Sequence, residues 1–320
     1  MKGLPPRSLH PGLQILLVLV LALVGLSLAS FLTLVIAKSS FGLSTAQFSD
    51  LTDHPARYPQ AWPMLMLLNG LSLAGIGVGA AVLPRLLRQP VGAYFAPRQL
   101  GAAWWPLAAG GLLLISLPAL SAVVAWNANA HFPAALHDFE LWARGKEDQS
   151  AELTKLLTQF TSLGRLLIGL LVIAVVPGVA EELVFRGVIQ RNLVRWSGSR
   201  HVGVWLAAAL FSAVHFQFFG FVPRFLLGLG LGYLYEWSGN ILVPMAAHFT
   251  NNAFQLILLY LAQSGHLSAS FDPDANQMLP WPSVLLSAGL SLALLYMLRQ
   301  RLAPAAPPVG ALADIAPTSR

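Results

Sequence analysis

Apolar residues run along this chain in long blocks parted by short polar connections. Seven blocks approach or exceed the roughly 20 residues that carry a helix across a bilayer. They are Ile15–Ala37, Trp62–Leu83, Trp104–Trp126, Leu163–Val184, Val202–Phe221, Ile241–Leu261 and Pro282–Leu298. An eighth, Phe225–Trp237, has 13 residues and reads as a short span, a tilted buried helix or a re-entrant piece. The pattern predicts an all-α fold, a polytopic membrane helix bundle of about eight transmembrane helices. The first block follows Lys2 and Arg7 as a secretory signal would. Its apolar core is longer than the usual 7–15 residues and lacks a small-residue cleavage site, so it reads as a retained helix.

Polar stretches set the organisation. Residues 1–14 form a cytoplasmic N-terminal segment, and 15–161 hold the first helices and the one sizeable polar connection, Asn127–Ser162. Residues 162–262 form a membrane core rich in candidate chemistry, 263–302 a loop and the last helix, and 303–320 a flexible Pro/Ala-rich tail. No second domain is expected.

Composition agrees with a membrane protein: of 320 residues 56% are apolar and 10% charged, with mean hydropathy +0.65. A soluble domain averages about a quarter charged. The absence of cysteine excludes disulfides, thiolate nucleophiles and cysteine-based metal sites. A net charge of +6 could suit nucleic acid, but the cations lie scattered between apolar runs, and no nucleic-acid partner is expected. With eight spans, 12 of the 19 Lys and Arg residues fall on the side of both termini. The opposite side carries the acids Asp138, Glu140, Glu147, Asp148 and Glu152, so both termini are placed in the cytoplasm.

Ionisable groups inside such blocks are costly and count as functional candidates. Glu181 and Glu182 stand in VAEELVFRG, His215 in LFSAVHF and His248 in PMAAHFTNN. On a helix Glu182 and Arg186, four apart, share a face and pair. Glu181, about 100° away, stays free to hold and pass a proton. Alternatively both acids cap a helix end, although helix C-termini disfavour negative charge. His215 alone reads as a hydrogen-bonded core residue as readily as a catalyst. His248 and Asn252 share a face and offer two donors to one point, as a developing oxyanion requires, or form an interhelical clamp. Asn251 falls on another face. Gly228 and Gly232 have the small-xxx-small spacing of closely packed helices. There is no zinc-binding H-E-x-x-H, no G-x-S-x-G elbow and no phosphate-binding loop.

Glu181-Glu182-x-x-x-Arg186, Phe211-x-x-x-His215 and His248-x-x-x-Asn252, in this order, resemble the CAAX protease and bacteriocin-processing family of intramembrane proteases, related to the Ras-converting CAAX endopeptidase. The likeness covers about Leu163 to Leu261 and includes the glycine-rich segment and SGNILVPMAAHFTNN. It implies a membrane cavity in which water attacks a peptide bond of a membrane-associated or lipid-modified protein. Glu181 would activate the water with His215 assisting, and His248 and Asn252 would support the oxyanion. Glu182 and Arg186 would complete the first motif. A metal-dependent variant would use Glu181, His215 and His248 to hold zinc, leaving an open fourth position. The resemblance also implies membrane lipid and a protein or peptide substrate as partners, and a bacterial cytoplasmic membrane as the location. Competing readings are a non-catalytic scaffold or bacteriocin-immunity protein, and a proton-coupled transporter, although no internal repeat is visible.

Overall fold

The computed structural model describes residues 9–267 and 278–302. The tail 303–320, most of the segment 1–14, part of the loop after residue 263, and Lys2, Arg7 and Arg320 lie outside the described residues. Among those described, every regular element is helical. The helices are α1 (Pro11–Phe41), α2 (Thr45–Asp53), α3 (Ala61–Leu86), α4 (Val91–Phe95), α5 (Trp105–Ala128) and α6 (His137–Leu157). They continue with α7 (Leu163–Ser197), α8 (Arg200–Ala213), α9 (Phe221–Ser238), α10 (Leu242–Gln263) and α11 (Trp281–Leu302).

Five of these helices, α1, α3, α5, α7 and α11, are long and apolar enough to cross a membrane, fewer than the eight expected. At 1.5 Å per residue α8, with 14 residues, reaches only about 21 Å of the roughly 30 Å needed. The expected span Val202–Phe221 is in fact broken. The helix stops at Ala213, and Phe216 takes φ 53°, a left-handed conformation that no helix continues. Conversely Phe225–Trp237 belongs to an 18-residue helix, α9, and Leu163–Val184 is the first part of a 35-residue one. On α1, Leu23, Leu28 and Phe31 are 62%, 64% and 66% exposed, while Val18, Ala29 and Ala37 are buried against the bundle. That split fits a helix with one face to lipid and one to protein.

Side-chain bonds define two ends. At one end Arg98 donates to the Glu236 carbonyl at 2.8 Å, Arg200 meets Glu236 at 3.5 Å, and Arg191 donates to the Tyr94 carbonyl. At the other, Asn127 at the end of α5 accepts from Val222 N at 2.8 Å, and Glu147 of α6 accepts from Phe219 N at 3.1 Å. The helix α6 occupies the expected polar connection. Its Phe139 and Trp142 pack on Phe218 with ring centroids 5.2 and 5.7 Å apart.

Glu140 ties this end together by accepting from His131, Phe132 N and Arg144 at 2.7–2.9 Å. The bonds from Arg144, above all, hold its carboxyl well below the ordinary 4.5, at about 2. A depressed acid adds stability above its unfolded value that is lost as pH falls through the folded one. Amide hydrogen exchange in α6 is therefore expected to be pH-insensitive, after correction for intrinsic rates, above about 5 and to rise between about pH 4.5 and 2. Glu140→Gln is expected to flatten that response.

Candidate active site

Proline shapes the site first. Pro177 lies inside α7 and has no N–H to give the carbonyl four residues back, that of Ile173. The helix adapts with a π-helical stretch over Leu170–Val175, and the Ile173 carbonyl accepts from Asn252 Nδ2 of α10 at 3.1 Å. Asn251 Nδ2 donates to Asn252 Oδ1 at 3.1 Å and so fixes the amide's orientation. One turn on, a Cβ at Gly178 would stand 3.2 Å from Phe249 N, so α7 and α10 meet backbone to backbone. This close approach brings the acids of α7 level with His248.

Glu181 and Glu182 stand in the α-helical turns between that π stretch and a second one, Leu183–Gln190, and not at a helix end. Their surroundings differ. Glu182 is fully buried, and its Oε1 accepts from Arg186 Nη1 at 2.7 Å and from His248 Nδ1 at 2.8 Å. Arg186 also donates to the Gly228 carbonyl at 3.1 Å and lies 4.5 Å from the Phe211 ring centre. The glycine also lets α9 pack closely on α8, because a Cβ at Gly228 would sit 3.1 Å from Ala208 Cα. Glu181 is 16% exposed, and its Oε2 faces His248 Nε2 at 3.9 Å. The gap is too long for a hydrogen bond and short enough for one water to touch both atoms.

A cavity of about 950 Å³ is lined by Glu181, His215, His248 and Asn252. The four therefore converge from α7, from the turn after α8 and from α10. Phe211 stands among them, its ring 5.2 Å from that of His215 and 6.0 Å from that of His248. Because a carbonyl only accepts, the 2.8 Å contact from His215 Nδ1 to Phe211 O puts the proton on Nδ1 and leaves Nε2 as an acceptor. The Glu182 carboxylate orients His248 in the same way. Neutral His248 thus presents an acceptor to Glu181, and it becomes a donor only when protonated. Glu182 does not line the cavity; it acts on it through His248.

Asn251, expected on another face, lines the cavity too, because its side chain turns toward Asn252. So does Arg224, which sequence reasoning missed. Its guanidinium bonds Gln217, and Nη1 is buried with no hydrogen-bond partner among the described residues. A lone arginine beside Pro223, at the start of a short apolar block, gave the only signal. Glu147 and the exposed Asp148 of α6 complete the polar end of the cavity.

The metal-dependent variant would need Glu181, His215 and His248 around one ion. Among the described residues no three His, Asp or Glu side chains stand close enough to hold a metal.

Three comparisons bear on these residues. Uncharacterized protein YpbD of Bacillus subtilis (strain 168) is 40% identical over 78 residues, which are 23% of this chain. The chain spans only 36% of the length of that curated relative. No solved structure matches. Several apolar helices of membrane-crossing length make the chain an integral membrane protein. From the start of α7 to the middle of α10, residues 163–254, it matches the type II CAAX prenyl endopeptidase Rce1-like family, the kinship to which its three motifs point.

Proposed function

We propose that this chain is an intramembrane endopeptidase that hydrolyses peptide bonds of membrane-associated or lipid-modified proteins with a water activated by Glu181. The observation that carries the reading is the convergence of Glu181, His215, His248 and Asn252 on one cavity inside the segment that matches a family of endopeptidases. Glu181 Oε2 takes a proton from the water as its oxygen bonds the scissile carbonyl carbon. His215 Nε2 accepts the water's other hydrogen and fixes its lone pair on the carbon. Asn252 keeps one amide N–H free of the Ile173 carbonyl and offers it to the oxyanion. His248, once protonated, adds a second donor, with its charge balanced by Glu182. As the C–N bond breaks, the proton held by Glu181 passes to the leaving nitrogen, giving a carboxyl and an amine.

The mechanism needs no zinc, and the distinction is measurable. Asn252→Ala is expected to lower turnover about 100-fold to 1000-fold, the usual effect of losing one oxyanion donor. Metal content should be unchanged, and prolonged chelation should leave the wild-type activity intact. Loss of activity on chelation, restored by zinc alone, would reverse the assignment of His215 and His248.

The basic end of the bundle is placed in the cytoplasm of a bacterial cell, so the cavity's polar end, beside α6, faces outward. The chain lacks cysteine, which makes this testable by labelling. An impermeant maleimide should label Asp148→Cys in intact cells and Arg301→Cys only after permeabilisation. The opposite pattern would put the cavity's mouth in the cytoplasm.

A further inference from the structure

A second cavity, of about 660 Å³, opens between α9 and α11 at the basic end and shares no lining residue with the candidate site. Its inner wall is apolar, formed by Leu226, Leu229 and Leu295. Its outer end carries Arg200, Arg299 and His201. The one carboxylate there, Glu236, is engaged by Arg200 at 3.5 Å. Arg299 is in no ion pair among the described residues, and among these the mouth carries more positive than negative charge.

The polar end is held in shape. The Tyr233 hydroxyl meets His201 Nδ1 at 2.7 Å and accepts from Trp205 Nε1 at 3.1 Å, and the Tyr233 ring stacks on Trp237 at 5.6 Å. Tyrosine and tryptophan at this level suit the membrane–water interface, where one end of the ring is apolar and the other wet. From Leu226 to Trp237 the wall rises about 16 Å along α9, close to the roughly 15 Å of one hydrocarbon leaflet. An apolar slot one leaflet deep, ending in cations and aromatic rims, is complementary to a molecule with an acyl chain and a negative head.

We propose that this groove is a binding site for an anionic diacyl phospholipid, with its phosphate at Arg200 and Arg299 and one acyl chain along Leu226, Leu229 and Leu295. Basic pockets between membrane helices at the cytoplasmic face hold anionic headgroups by this chemistry. The occupant would also close the gap between α9, which carries the Arg186 acceptor Gly228, and the last helix. The inference is independent of the catalytic reading.

Native mass spectrometry of the purified full chain tests it, with phosphatidylglycerol and phosphatidylcholine of the same acyl chains supplied equally. Wild type is expected to retain the anionic lipid about tenfold over the neutral one. The double variant Arg200→Gln/Arg299→Gln should fall to near parity, and Arg301→Gln, outside the groove, should keep the preference. Leu229→Trp, which fills the apolar wall, should lower retention of both lipids; circular dichroism confirms that each variant is folded. Parity in wild type, or an unchanged preference in the double variant, would overturn the proposal. Displacement of the lipid by inorganic phosphate alone would overturn the role of the apolar wall.

Discussion

Glu182→Gln is expected to cost about 3–5 kcal/mol of stability, read as a collapse in folded yield and a lower melting temperature in detergent. The change keeps the shape of the side chain and withdraws its charge. Arg186, 1% exposed, would then be left as a buried guanidinium facing a neutral amide, and His248 would exchange a charged acceptor for a weaker neutral one. Removing both charges should be milder than removing one, because no bare ion remains. The double variant Glu182→Leu/Arg186→Met is thus expected to regain much of the yield while staying inactive. A Glu182→Gln protein as stable as wild type would show that the triad Arg186–Glu182–His248 is not holding these helices together.

Glu181→Gln is expected to do the reverse. Peptide hydrolysis should fall at least about 100-fold to 10,000-fold, the range for a lost general base, with yield and melting temperature close to wild type. Glu181 is partly exposed to the cavity and makes no side-chain hydrogen bond among the described residues, its approach to His248 being 3.9 Å, so the neutral amide leaves no partner stranded. His215→Ala should lower turnover less than Glu181→Gln, since the imidazole orients the water and does not take its proton. Equal losses of activity and of yield in the Glu181 and Glu182 variants would contradict the division of labour between the two acids.

The different placing of the two acids was legible in spacing alone, because four residues along a helix bring Glu182 over Arg186 and turn Glu181 aside. The convergence of three separate blocks was legible only through the order of their motifs, since apolar periodicity says nothing about which helices touch. The end of α8 was not legible. The residues from Val214 to Phe221 stay mostly apolar through a turn, with His215 and Gln217 the polar exceptions, and hydropathy does not separate a mostly apolar turn from a helix. In the same way Arg186 seemed to end a span, whereas its burial on Glu182 and Gly228 lets α7 run on to Ser197. The surroundings of Asn252 were legible only in part. Its place at the cavity follows from the shared face with His248, but its bond to Ile173 depends on the N–H missing from Pro177, a signal present in the sequence and overlooked.

The most direct test compares the membrane proteomes of cells producing the wild-type chain or Glu181→Gln at equal levels, searching quantitatively for new protein termini. The proposed activity predicts matched pairs of new carboxyl and amino termini, from cuts in or beside membrane segments, present with wild type and absent with Glu181→Gln. Identical sets of termini in the two samples would contradict it.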